Sequence, residues 1–152
     1  MNFIFHICIM LPLLYANLFS QLNPDYDQDL AKKLNADDLG MKSYVFVILK
    51  TGNITNPTKE LRDSLFKGHM SNMKKLADEG LLVTAGPFNK NDKNYRGLFI
   101  LNVDNLEKAK EIVDTDPAVQ GKLLDTELYL WYGSAAIQEL NKIHNKIQKK
   151  GF

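Results

Sequence analysis

The chain has 152 residues, a formal charge of +1 and one cysteine. That length suits a single domain that can fold on its own core, while one thiol excludes a disulfide framework and a cysteine-based zinc knuckle. Nineteen basic against eighteen acidic residues leave no broad field for nucleic acid or an anionic membrane, and 45% hydrophobic with 24% charged residues excludes wholesale disorder.

The first twenty residues, MNFIFHICIMLPLLYANLFS, contain no Asp, Glu, Lys or Arg. Their apolar run falls short of the roughly 20 predominantly apolar residues of a spanning helix. It has the length of a secretory h-region, and the small or polar residues Ala16, Asn17 and Ser20 lie before Gln21. A cleaved signal peptide over residues 1–20 is therefore expected, with an exported, periplasmic or secreted product and no stable membrane anchor after cleavage. The competing assignment is a buried or anchoring N-terminal helix. Cleavage would remove His6 and Cys8, so no thiol chemistry is expected of the mature chain.

Residues 21–41 read as an acidic, turn-rich arm followed by a short helix over Asp29–Leu39 that stops at Gly40. The domain proper is expected from residue 42 to residue 152. Tyr44–Leu49 (YVFVIL) is β-branched, aromatic and apolar on both faces, the signature of a strand. Thr51–Pro57 is a loop, and Thr58–Glu79 a long helix ending at Gly80. Leu81–Ala85 and Tyr95–Val103 are strands around the polar turn Asn89–Asn94. Asp104 or Asn105 opens a helix from Leu106 to Thr115. Asp116-Pro117 has the form of a short helix opening, with Asp at the cap and Pro in the first turn. Leu123–Tyr132 is a fourth strand, and Ser134 caps a last helix reaching Lys149.

That order predicts an α+β, ferredoxin-like βαββαβ antiparallel sheet with an extra C-terminal helix. A one-faced antiparallel sheet should alternate apolar and polar residues, and Tyr44–Leu49 and Leu98–Leu101 do not. Bare, the second face would be a larger apolar patch than soluble monomers usually carry. A homodimer packed sheet face on sheet face is the simplest remedy, and the N-terminal arm folding back is the alternative.

The long helix carries the most informative chemistry. At about 100° per residue counted from Leu61, Arg62 falls at about 100° and His69 at about 80°, within the arc of Leu65, Phe66, Met73 and Leu76. A buried guanidinium is costly without a partner, so Arg62 is expected to meet a carboxylate, backbone carbonyls or an anionic ligand. A lone histidine on an apolar face is as a rule a satisfied core residue, and an arginine near a helix start snorkels to water; two together on one stripe point to a site. Arg96, the only other arginine, opens the third strand beside Tyr95. His144 lies among the lysines of the last helix, which complement its dipole. No paired His or Cys spacing suggests a metal, no glycine-rich loop a phosphate, and no serine sits at a nucleophile elbow. No cofactor is expected.

His69 with the ADEG turn after it, the TAGP strand, the third strand opened by Tyr95-Arg96-Gly97 and Asp116-Pro117 after an acidic helix together resemble the YCII-related family over roughly Lys42–Tyr132. The resemblance implies a dimeric α/β barrel similar in shape to muconolactone isomerase. It also implies a small-molecule site built on a His and an Asp, carried here by His69 and Asp116. The LAKKLNADDLG segment and the YRG start of strand three look like a secreted bacterial branch. Some relatives carry an Asp just after strand one, where this chain has Lys50-Thr51-Gly52. The chemistry left is cofactor-free acid–base catalysis of the isomerase, lyase or hydrolase type on a small anionic or aromatic-derived substrate. His69 would move the proton and Asp116 orient it, with Arg62 or Arg96 holding an anionic oxygen and Tyr95 lending a hydroxyl. The alternatives are a non-catalytic ligand-binding dimer and a cofactor-free oxygenase.

Overall fold

The computed structural model describes residues 23–150. The segment assigned above as a signal peptide, with His6 and Cys8, lies outside them. The elements run α1 (Gln28–Lys33), β1 (Met41–Thr51), α2 (Lys59–Asp78), β2 (Leu82–Pro87), β3 (Tyr95–Leu101), α3 (Leu106–Val113), α4 (Pro117–Gln120), β4 (Leu124–Ser134), a 3-10 turn at Ala135–Glu139 and α5 (Leu140–Ile147). The strands form one antiparallel sheet in the order β2-β3-β1-β4, the ferredoxin-like arrangement.

Side-chain oxygens start most of the helices. Thr58 Oγ1 accepts from Leu61 N at 3.2 Å, Asn105 Oδ1 from Lys108 N at 2.8 Å and Asp116 Oδ1 from Ala118 N at 2.8 Å. Two expectations on the helices change. α1 ends at Lys33 rather than Leu39, because Asn35 turns into the left-handed region at φ 52 and Asp37 Oδ1 then collects the amides of Leu39 and Met41. Ser134 Oγ caps a 3-10 turn and not the α-helix itself, so the C-terminal helix is divided and begins at Leu140.

Val45, Val47 and Leu49 of β1 and Phe99 and Leu101 of β3 project from one face of the sheet. They are buried against Leu76 of α2 and Ala109 and Val113 of α3. Val47 pairs with Phe99 on one side and Leu128 on the other, so the core is centred on β1. On the opposite face Tyr44 is buried beside Trp131, the rings 5.7 Å apart, and its hydroxyl donates to Ser134 O at 3.1 Å. Beyond it Phe46, Ile48, Leu98 and Ile100 are only half-buried, and Tyr129 and Trp131 are exposed. This apolar second face is the one inferred from the lack of alternation in Tyr44–Leu49. It ends in a polar cluster, where Lys50 Nζ meets Glu127 Oε1 at 2.8 Å and Tyr129 Oη donates to Glu127 Oε2 at 3.0 Å. The hydrogen bond from Lys50 holds the Glu127 carboxyl below its ordinary value, and that to Glu127 raises the Tyr129 phenol.

The packing that matters most downstream is α2 on α4. Gly68 faces Pro117 so closely that a Cβ on Gly68 would lie 2.8 Å from Pro117 Cγ. On the next layer, a Cβ on Gly121 would lie 2.7 Å from Leu65 Cδ1. A rigid proline ring cannot swing aside as a long side chain would. Gly68→Ala should therefore destabilise the fold, since overpacking costs about 1–3 kcal/mol and outweighs the gain of roughly 1 kcal/mol in helix propensity. Urea denaturation would show a lowered midpoint; a variant as stable as the parent or more so would contradict the close approach.

Candidate functional site

His69 sits in the middle of α2 with its ring on the sheet, and Asp116 is the cap residue of α4. Their side chains are among the most buried polar groups, His69 6% exposed and Asp116 1%. His69 Nδ1 lies 2.6 Å from Asp116 Oδ2. The other carboxylate oxygen accepts from Ala118 N, so the helix cap fixes the Asp116 rotamer and aims Oδ2 at the ring. A carboxylate oxygen only accepts, so the contact places the proton of the neutral imidazole on Nδ1 and leaves Nε2 bare. Nε2 makes no hydrogen bond among the described residues. No buried side-chain polar atom there is sealed without a partner, so Nε2 keeps a narrow opening.

Two aromatic rings lie against the imidazole. Phe99 of β3 stacks on it at 5.8 Å between centroids and 16° between planes, and Phe66, one turn earlier on α2, lies at 5.9 Å and 35°. Phe66 is 56% exposed, so the histidine stands behind an aromatic residue that reaches the surface. The arrangement provides an oriented proton acceptor at the edge of an apolar, aromatic setting. Sequence reasoning took Phe66 only as part of the apolar arc and Pro117 only as a helix opening, and passed over Phe99 and Gly68. The available signal was Gly68 itself, a glycine inside a 20-residue helix and directly before the histidine, where it marks close approach of another segment.

The other expected site residues are not drawn to this pair. Arg62 is exposed rather than buried, and no partner carboxylate meets it among the described residues. The reason lies along the helix axis: Lys59–Ser64 are all exposed, so the start of α2 extends beyond the cover of the sheet. Arg96 is also exposed, with Nε donating to Thr51 Oγ1 at 2.6 Å. Tyr95 pairs with Lys50 after an irregularity between Leu49 and Lys50, which puts it on the sheet face opposite Phe99 and His69. Its ring lies 6.2 Å from Phe88, with Lys93 Nζ 6.0 Å from its centroid. No hydrogen bond, ion pair or ring contact joins Arg62, Arg96 or Tyr95 to His69 or Asp116 among the described residues.

Two depressions lie elsewhere. One of about 510 Å³ is polar and includes Lys42, Asn102 and Asp104; burial lowers the Lys42 ammonium, and its Nζ donates to Asn102 Oδ1 at 2.8 Å. The other, of about 830 Å³, lies between α2, β2 and α5. His69 lines neither. Among the described residues no group of three or more His, Cys, Asp or Glu side chains is placed to hold a metal ion, and no helix is long and apolar enough to cross a membrane.

The model of the YCII-related domain matches residues 44–131, more than half of the chain, from the first core residue of β1 to Trp131 of β4. The chain belongs to the YCII-related family. Both members of the buried pair and the whole sheet core of this YCII-related chain lie within the matched span. Its similarity to solved structures includes 5-chloro-2-hydroxyhydroquinone dehydrochlorinase from Burkholderia phenoliruptrix AC1100, in complex with 2,5-dihydroxybenzoquinone. The two are 19% identical, with 57% of this chain and 92% of that chain covered and a TM-score of 0.41. No curated protein matches this YCII-related chain.

Removing the carboxylate tests the geometry directly. Asp116→Ala deprives α4 of its cap, at about 1 kcal/mol, and leaves a buried ring N–H unpaired, at about 1–3 kcal/mol. The expected loss in urea denaturation is their sum, about 2–4 kcal/mol. A loss below about 0.5 kcal/mol, the size of an ordinary surface substitution, would contradict the buried contact.

Proposed function

We propose that this YCII-related protein is a small-molecule enzyme that uses His69 as a cofactor-free general acid–base, with Asp116 as its orienting partner. The observation that carries the proposal is the asymmetry of the imidazole: Nδ1 is engaged by a capped carboxylate at 2.6 Å, and Nε2 has no protein partner among the described residues. A core histidine serving packing alone has no need of a free, oriented nitrogen. A carboxylate on Nδ1 steadies the imidazolium formed when Nε2 takes a proton, the arrangement that suits proton abstraction or return. The flanking Phe66 and Phe99 favour a flat or unsaturated substrate. Arg62, exposed and two turns before His69 on the same helix, is proposed as the cation that receives a carboxylate or phenolate of the same molecule. Isomerisation, elimination and hydrolysis all fit one histidine that shuttles a proton. Tyr95 and Arg96 have no part in this version of the site.

The proposal extends to a homodimer. Its support is the half-buried apolar face of Phe46, Ile48, Leu98 and Ile100, which no helix of the described chain covers. A second copy laid face to face would close it as an α/β barrel and enclose the Lys50–Glu127–Tyr129 cluster. Export is proposed with it, on the strength of the uncharged first twenty residues.

A turnover screen of small carboxylates, lactones and halogenated phenols tests the enzyme. His69→Gln retains an amide able to donate to Asp116 and loses the proton shuttle. It should reduce turnover about 10²–10⁴-fold, the usual worth of a general acid–base, with the melting temperature nearly unchanged. Unchanged turnover in the variant would sink the assignment of His69. Binding without turnover across the screen would favour a ligand-binding module. For the dimer, sedimentation equilibrium should give twice the chain mass for the parent and the chain mass for Ile100→Glu. A parent that stays monomeric at micromolar concentration would refute the paired sheets.

A further inference from the structure

α5 begins where the 3-10 turn ends and runs along the outer edge of β2. Asn141 Nδ2 donates to Leu82 O at 3.0 Å, which ties the start of the helix to the edge strand. Its apolar side is not closed against the rest of the chain: Leu140 is 43% exposed, Ile143 55% and Ile147 74%. Across from it stands the flank of α2 adjoining the His69 stripe, with Met70, Met73 and Ala77. Between the two helices, over Leu82 and Ala85, runs the groove of about 830 Å³. That volume is within the usual range for small-molecule sites, about 300–1,000 Å³.

The charges along this groove are few, and one of its cations is unpaired among the described residues. Lys67 and Lys74 rise from α2, and His144 faces in from α5. Asp78 is the one acidic residue among the lining side chains, and Lys74 takes it at 2.6 Å. Lys67 has no ion pair among the described residues. The groove therefore has an apolar floor, a cation at its rim free to receive an anion, and no free carboxylate to repel one. Two methionines on the floor add adaptability, since an unbranched thioether conforms to an occupant of irregular or flexible shape.

We propose that this groove is a second binding site, separate from His69, for an amphipathic organic anion: a straight-chain carboxylate of medium length. Its tail lies along Met70, Met73 and Ile143, and its carboxylate pairs with Lys67. The site rests on no part of the acid–base reading, and either can fail without the other.

The test is displacement of 1-anilinonaphthalene-8-sulfonate fluorescence from the full chain, below the micelle threshold of each competitor. Sodium decanoate should displace the dye saturably, one molecule per chain, and decyltrimethylammonium, with the same tail and the opposite charge, should be at least tenfold weaker. Lys67→Glu should weaken decanoate at least tenfold, and Ile143→Asp should abolish its binding. Both positions are exposed, so the melting temperature of each variant serves as the check that it folds. Equal competition by the two amphiphiles would overturn the proposal by showing unselective adsorption. Unchanged decanoate affinity in either variant would overturn it by placing the ligand elsewhere. Loss of self-association in Ile143→Asp would do the same, by giving the groove to a second copy of the chain.

Discussion

The contact on which the rest depends is the approach of α2 to the first turn of α4, where Gly68 lies against Pro117. Any side chain at residue 68 would push the two helices apart, and the distance between His69 and Asp116 is set by that approach. Pro117 contributes twice. Its ring is the surface that Gly68 meets, and as the first residue of α4 it helps to start the short helix whose cap is Asp116. The cap in turn fixes the carboxylate, with Oδ1 on Ala118 N and Oδ2 on the imidazole. One close helix–helix packing thus determines a rotamer, a tautomer and the availability of Nε2.

The sheet adds the second wall. Phe99 stacks on His69 because β3 carries it to the helix side, in register with Val47 and Ala85. The same alternation carries Leu98 and Ile100 to the other side, where they join Phe46 and Ile48. The histidine and the uncovered apolar face are therefore two consequences of one strand. The core side builds the site, and the far side accounts for the expectation of a partner.

Most of the fold was legible from the chain. YVFVIL, LLVTA and the YRG-led strand announced themselves by β-branched and aromatic runs, and the caps at Asp116 and at Asp104 or Asn105 by residue type and position, the structure choosing Asn105. Asp116 was legible as a cap and, through the family resemblance, as the companion of His69. Helical periodicity alone could not bring them together, because it gives an angle about one axis and nothing about a second element 47 residues away. The same limit misplaced Arg62. Its angle was that of the apolar arc, but the cover of the sheet stops short of the first turns of α2. The faces taken by Tyr95 and Arg96 were not legible for another reason: the irregularity in the β1–β3 ladder beside Leu49 and Lys50 shifts the pairing there, and simple alternation no longer tells which face a residue takes. The C-terminal helix was read as continuous because a 3-10 turn and an α-helix share their cap chemistry.

The central claim is that Asp116 holds His69 with its proton on Nδ1 and its Nε2 free to exchange one. Long-range ¹H–¹⁵N NMR of the His69 ring, at a pH where the ring is neutral, tests this most directly. The structure predicts a protonated Nδ1 and a bare Nε2 in the parent chain, and a loss of that preference in Asp116→Ala. A neutral ring that carries its proton on Nε2 in the parent chain would contradict the account.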